Sequence, residues 1–171
     1  MIFRAATQSD IEMIHRLVNS AYRGESSKKG WTTEADILDG QRTDPKKLQE
    51  MMEEQYARIE LMLDDSGVLM GTVFLRKDGE SCYLGMLTVN PDGQGKGIGK
   101  LLMDHSEVLA KSWGCSQMRM TVIHLRSELI AYYERRGYVL TGAFEPFPED
   151  DPRFGIPKVK GMRLVEMVKK I

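Results

Sequence analysis

The chain is poor in features that would mark several classes of protein. It has two cysteines in 171 residues, Cys82 in a strand-like run and Cys115 directly after Gly114. Two isolated cysteines without metal-ligand spacing exclude a disulfide scaffold and a Cys-rich zinc module. They read as reduced, structural thiols of a cytoplasmic protein, and no metal is expected. No apolar run reaches the length of a membrane span, and Met1-Ile-Phe-Arg leads straight into a strand pattern where a signal peptide would begin. Neither sign of charge dominates. With a formal net charge of -1, nothing global favours nucleic acid or an anionic membrane as a partner. Internal repeats and low-complexity linkers are missing too. What remains, 42% hydrophobic and 29% charged residues, has globular proportions, and a chain of this length is expected to form a single domain over residues 1–171.

The patterning mixes strands and helices. Ile2 to Ala5 is a short strand, after which Thr7 and Asp10 form a capping pair for a helix with Ile11, Ile14, Leu17, Val18 and Ala21 on one face. Arg23 to Gly30 reads as a loop, with short helices expected from Thr33 and Pro45. Ala57 to Leu63, Val68 to Arg76 and Ser81 to Val89 read as strands. The turns Asp64-Asp-Ser-Gly67 and Asp78-Gly79 join them into an antiparallel meander. A long helix to Trp113, a strand from Met118 to His124, a helix carrying Tyr133 and strands near Tyr138–Phe144 and Lys160–Val168 complete the chain. On the long helix, Ile98, Leu101, Leu102, His105, Val108, Leu109 and Ser112 share one stripe, so His105 reads as a boundary histidine rather than a catalytic one.

The most informative stretch is Val89-Asn-Pro-Asp-Gly-Gln-Gly-Lys-Gly-Ile-Gly-Lys-Leu-Leu-Met103. Alternating glycines at a helix start let a ligand approach the backbone, where unpaired N–H groups and the positive end of the helix dipole favour a phosphate. The loop G-x-x-x-x-G-K-[ST] is excluded by Gln94 and Leu101, and G-x-G-x-x-G fails in every register. The pattern that fits is Gln-x-x-Gly-x-Gly. A second stretch, Arg126-Ser-Glu-Leu-Ile-Ala-Tyr-Tyr133-Glu-Arg-Arg-Gly137-Tyr138, reads as a helix that Ser127 can cap and Gly137 can end. In this order, about thirty to forty residues apart, the two stretches resemble the two signatures of the GNAT superfamily of N-acetyltransferases. The resemblance runs from Phe3 to near Met167 and is weakest between Arg23 and Ala57.

The resemblance implies an α/β (α+β) fold, with a mixed, mostly antiparallel central sheet splayed between its fourth and fifth strands and helices on both faces. It implies acetyl-CoA as cosubstrate and transfer of acetyl to a primary amine of a small molecule or peptide, by direct attack in a ternary complex. Readings from other classes are an acyl-CoA-binding regulatory domain with little turnover, and a module that holds a protein partner. By position, the Leu87 N–H would face the acetyl carbonyl, where developing charge makes a fixed donor catalytic. Leu87, Thr88 and Val89 would border pantetheine. Gln94, Gly95, Lys96, Gly97, Ile98, Gly99 and Lys100 would surround the pyrophosphate. Tyr133 would protonate the departing thiolate, a phenol of pKa about 10 being protonated near neutrality; its alternative is a core aromatic.

The base is open. Some members use a glutamate at the position of Tyr83. His124 is a candidate base or a structural strand-end histidine, and Glu34 and Glu128 are further candidates. Arg126 stands where an asparagine often bonds pantetheine, and would meet cofactor, substrate or a phosphate. For the acceptor, Trp31 and Glu34 lie in the loop region this fold uses. Trp31 would anchor a ligand or pin the loop to the core, and Glu34 would pair with the ammonium. Arg23 and Arg42 suit a carboxylate, whereas Glu145 to Asp151 suits a polyamine or lysine, and the two cues conflict. The resemblance allows a homodimer, and calls for neither nucleic acid nor membrane.

Overall fold

The computed structural model describes residues 1–23, 27–28, 33–93 and 95–171. In chain order its main elements are strand β1 (Ile2–Ala5), helix α1 (Ile11–Tyr22), strand β2 (Leu38–Asp39), helix α2 (Pro45–Glu53), strands β3 (Ala57–Leu63), β4 (Leu69–Asp78) and β5 (Ser81–Val89), helix α3 (Ile98–Ser112), strand β6 (Gln117–Ile123), helix α4 (Ser127–Glu134), and strands β7 (Val139–Pro146), β8 (Ile156–Pro157) and β9 (Arg163–Lys170). The large sheet runs β1-β3-β4-β5-β6-β9-β7, and β2 pairs with β8 separately. All neighbours in the large sheet are antiparallel except β5 and β6.

The two faces of the sheet are covered by different helices. Ile14, Leu17 and Val18 of α1 and Leu48 of α2 pack on Ile59, Leu61, Leu63 and Phe74. Ile98, Leu102, Met103 and Ala110 of α3, with Tyr133 of α4, pack on Met62, Val73, Leu75, Met118 and Met120. Leu61 and Met62 are adjacent yet serve opposite faces, as the pleat of a strand requires. Local signals start the helices as expected. The Thr7 N–H donates to the Asp10 carboxylate at 2.8 Å, which Arg4 also grips with two hydrogen bonds of 2.7 and 2.8 Å. Those bonds, Arg4 first, hold the Asp10 carboxyl far below the ordinary range against the opposing effect of burial. α2 starts with Asp44 accepting the Lys47 N–H at 2.7 Å and proline in its first turn.

Four expectations are corrected. Residues 34–37 form turns rather than a helix and lead into β2, whose two-residue pairing with distant β8 has no sequence period to reveal it. On α3, Leu101 and Val108 are exposed, 43% and 68%, and the buried row is Ile98, Leu102, Met103, Ser106 and Ala110. Ser106 can be buried because its hydroxyl donates to the Leu102 carbonyl at 2.7 Å. Ser127 is the first residue of α4, preceded by Arg126 as an N-cap with no side-chain cap bond; Gly137 follows the helix in the left-handed region, φ +89°. The last strand begins at Arg163 rather than Lys160. His105 does sit at a boundary, its Nε2 2.7 Å from the buried Glu60 carboxylate and its ring stacked on Phe3 at 4.2 Å. Among the described residues no helix is long and apolar enough to cross a membrane.

The sheet is splayed where expected. β5 and β6 pair only at Ser81↔Gln117, Cys82↔Met118 and Tyr83↔Arg119, and then part. The cause lies on β5. Thr72 pairs with Thr88 and Phe74 with Gly85, so Val73 faces both Met86 and Leu87. Met86 takes a left-handed conformation, φ +50°, unusual for a residue with a side chain. Such a bulge bends and twists its strand, here at the point where the two strands separate.

Candidate active site

Two cavities adjoin at the open end of the splay. One, of about 310 Å³, lies between β5, the start of α3 and α4, and is lined by Thr88, Val89, Gly95, Gly97, Ile98, Gly99, Tyr132 and Arg136. The other, of about 500 Å³, is lined by charged residues from the segment between α1 and α2 and from α2, β4 and β6, together with Tyr22, Tyr83, Glu145 and Phe154. Tyr22, Leu87, Arg126, Leu129 and Tyr133 line both, so these five form a common wall.

In the smaller cavity the backbone is laid open. Gly95 and Gly97 have φ of +81° and +76°, and nothing lies within 4 Å of where a Cβ would sit. Gly97 is the N-cap of a 15-residue helix, so first-turn N–H groups and the dipole face this end. Gly99 differs, because a Cβ there would come within 2.7 Å of the Tyr132 hydroxyl and 3.6 Å of Val89. The Tyr132 ring is clamped by Arg136, whose guanidinium lies 3.4 Å from the ring centroid and donates to the Tyr132 carbonyl at 2.9 Å. The Arg136 Nε is buried without a hydrogen-bond partner among the described residues. Sequence reasoning missed Arg136, although its place four residues after Tyr132 puts the two on one helical face. Lys96 and Lys100 are exposed beside the cavity, Lys100 paired with Asp104 at 2.7 Å. Gln94 and Trp31 lie outside the described residues.

The wall carries the reactive-looking group. Tyr133 is buried, and among the described residues no hydrogen bond reaches its hydroxyl. Burial, reinforced by Tyr22, Tyr132 and Tyr138 and opposed by Arg126, pushes its pKa well above the ordinary value, so it holds its proton at neutral pH. The Tyr22 hydroxyl donates to the Leu87 carbonyl and tethers β5 just past the bulge. Sequence reasoning named Tyr22 without this role.

The larger cavity is polar, and several expectations change there. Glu34 is buried, but its carboxylate already accepts from Arg23 and lies 3.5 Å from Arg126, so it neutralises guanidiniums rather than waiting for an ammonium. Burial lowers the Arg23 pKa, Glu34 opposing it and the like charge of Arg42 adding to it. Arg126 also donates to Glu128 at 2.7 Å, and Glu128 lines neither cavity. Tyr83 sits between two guanidiniums, those of Arg76 and Arg119, 5.5 and 5.3 Å from its ring centroid. His124 lines neither cavity. Its Nδ1 accepts the Arg163 N–H at 3.0 Å, a strand-end contact beside β9 of the kind its structural reading describes. The acidic run is divided: Glu145 reaches the larger cavity, whereas Glu149, Asp150 and Asp151 line a surface depression that adjoins it at Phe147 and Pro148. Both cysteines are buried away from the cavities, and burial pushes the Cys82 thiol up to about 12. Among the described residues no group of three or more His, Cys, Asp or Glu side chains is placed to hold a metal ion.

This geometry has known counterparts. The sequence model of the Acetyltransferase (GNAT) family matches residues 11–138. The uncharacterized protein YdhI of Bacillus subtilis (strain 168) is 27% identical over 82 residues, 48% of this chain and 50% of that protein, so the match spans about half the length of this curated relative. Among solved structures, the ribosomal-protein-S18-alanine N-acetyltransferase from Escherichia coli is similar with a TM-score of 0.70 and 13% identity, covering 99% of this chain and 93% of that one. A protein from Bacillus anthracis str. Ames, solved in complex with acetyl coenzyme A, is similar with a TM-score of 0.58 and 17% identity, covering 72% of this chain and 68% of that one. At these identities the structural likeness concerns the fold.

Proposed function

The chain belongs to the acetyltransferase (GNAT) family, and from that premise we propose that it is an acetyl-CoA-dependent N-acetyltransferase, a single domain over residues 1–171, that acts on a primary amine by direct attack in a ternary complex. One observation carries the reading: the buried Tyr133, whose hydroxyl has no hydrogen bond among the described residues, stands in the wall shared by an anion-ready cavity and a polar one. The smaller cavity fits acetyl-CoA. Its glycine backbone is open where a pyrophosphate would sit at a helix start, and the orphaned Arg136 Nε is a donor without a partner.

Acetyl-CoA, when bound, supplies an acyl group already activated as a thioester. The residues from Gly95 to Lys100 would hold the pyrophosphate, chiefly through backbone N–H groups, with Lys96 and Lys100 adding positive charge from the rim, and Gln94 of the same motif is assigned there by the family resemblance. Thr88 and Val89, on the edge that the splay frees, border the pantetheine arm. The Leu87 N–H would face the acetyl oxygen, where a fixed donor lowers the barrier by about 3–4 kcal/mol in comparable sites. Tyr22 steadies this segment through the Leu87 carbonyl. Tyr133 keeps its proton until the sulfur departs and donates it there. With Glu34 engaged and His124 elsewhere, the proton of the amine passes to water in the larger cavity. A covalent acyl-enzyme is disfavoured because Cys82 is buried, protonated and lines neither cavity. Reduced, buried cysteines fit the cytoplasm as the setting.

The test is release of CoA, with the N-acetylated product identified by mass, over amino acids, polyamines, aminoglycosides and lysine peptides. Turnover of an amine supports the reading. Tight acetyl-CoA binding with no turnover of any amine would replace it by a CoA-binding regulatory domain.

A further inference from the structure

The larger cavity has more positive charge than its own carboxylates can answer. Six cationic side chains line it, Arg23, Arg42, Lys47, Arg76, Arg119 and Arg126, against Glu34, Glu54 and Glu145. Glu54 serves Arg76 at 2.7 Å, Glu34 pairs with Arg23 and lies 3.5 Å from Arg126, and Glu128, from outside the lining, holds Arg126 at 2.7 Å. Glu145 is exposed on the rim. The half-buried Arg42 has no carboxylate within 4 Å among the described residues. Its guanidinium lies over the Tyr22 ring, 5.4 Å from the centroid, against the common wall. Lys47 faces the Phe154 ring at 5.6 Å and is near enough to Asp151 to help lower its pKa, and Arg119 reaches Asp78 and Glu166 at 3.7 and 3.6 Å, so Arg42 is the cation left without a carboxylate among the described residues. The acidic residues Glu149 to Asp151, which on sequence argued for a polycation, line the adjoining depression on the far side of Phe147 and Pro148 and do not line this cavity. A partly desolvated cluster of one sign attracts the opposite charge and repels its own.

Resting on the acetyltransferase reading, we infer that the acceptor carries an oxyanion close to its amine, a carboxylate or a phosphorus oxyanion held by Arg42, so that the substrate class is amino acids and amino-phosphonates rather than polyamines. An oxyanion on Arg42 leaves an amine two or three bonds away, directed at the wall that holds Leu87 and Tyr133. A cavity of about 500 Å³ suits a small molecule of this kind.

The experiment compares matched acceptors after calorimetry has established acetyl-CoA affinity. The pairs are L-leucine with 3-methylbutylamine, L-phenylalanine with 2-phenylethylamine, L-lysine with cadaverine, and 2-aminoethylphosphonate with ethanolamine. The anionic member should win in kcat/KM by about tenfold or more in at least one pair, as a charge-assisted contact predicts. The winning pair tells carboxylate from phosphonate. Arg42→Gln should erase that preference while acetyl-CoA affinity stays parental, since Arg42 does not line the cofactor cavity and its backbone N–H keeps its 2.6 Å bond to Asn19. Equal or better turnover of the neutral amines or of cadaverine, or a preference that survives Arg42→Gln, overturns the inference and leaves the acetyltransferase reading standing. Failure of the parent chain to bind acetyl-CoA overturns that reading instead.

Discussion

Replacing Tyr133 by phenylalanine separates an acid from a packing residue. The ring keeps its contacts, edge-on to Tyr132 at 5.5 Å and 77° and to Tyr138 at 6.0 Å and 61°. No hydrogen bond is lost among the described residues, so folding stability should stay within about 1 kcal/mol of the parent. The proton is what disappears. Burial keeps the phenol protonated across the neutral range, and its deletion should lower kcat by about ten- to a thousand-fold, or roughly 1.4–4 kcal/mol of barrier. Binding of acetyl-CoA should barely change, because the cavity keeps its shape. CoA release at saturating acceptor, a thermal melt and an acetyl-CoA titration measure the three quantities on one sample. Parental turnover would refute the acid role and make water the proton donor. A large fall in melting temperature would assign any lost activity to packing.

Two other substitutions probe the scaffold. Gly99→Ala places alanine, a better helix former by about 0.8–1 kcal/mol, in the first turn of α3, but its Cβ would lie 2.7 Å from the hydroxyl of the clamped Tyr132 ring. Stability should stay within about 1 kcal/mol while acetyl-CoA affinity falls about tenfold as the ring is displaced; unchanged affinity would show that Tyr132 does not border the cofactor. Asp10→Asn removes the Arg4 pair and weakens the cap, and should cost about 1–2 kcal/mol near pH 7 in urea unfolding. The folded Asp10 carboxyl lies below its unfolded value of about 3.9, so its stabilisation is full above that value and is lost as pH falls through the folded one. The deficit of the variant should therefore shrink below about pH 4, and a deficit constant down to pH 2 contradicts the assignment.

What could be read in advance was local. The strand patterns of Ala57–Leu63 and Ser81–Val89, the Asp78-Gly79 turn, the Thr7–Asp10 box and Gly137 each announce themselves within a few residues, and the structure keeps the elements they mark. The splay was expected from family resemblance, whereas its cause was hidden. Met86 adopts a positive φ where only a glycine would have drawn attention. The buried face of α3 was mistaken because hydropathy ranks Leu101 and Val108 above Ser106, while packing rewards the small residue that closes its own hydrogen bond. β2 and β8 pair over a separation of more than a hundred residues with two residues each, too short for any period. The charge of the larger cavity is collective. Arg42, Arg76 and Arg119 lie on separate segments and share a cavity only after folding, and Asp150 and Asp151 end up lining the adjoining depression rather than the cavity itself.

Titration of acetyl-CoA into the parent chain and into Gly97→Glu tests most directly whether the cavity beside α3 holds the cosubstrate. Gly97 sits at φ +76° with open space where a side chain would go, so glutamate puts bulk and negative charge where the pyrophosphate is held. The left-handed backbone adds about 1–2 kcal/mol of strain, and a melt must show that the variant is folded. The parent should bind saturably, and the folded variant should lose about a hundred-fold or more in affinity, roughly 2.7 kcal/mol. Undiminished acetyl-CoA affinity in folded Gly97→Glu would contradict the placement of the cosubstrate and, with it, the division of labour between the two cavities.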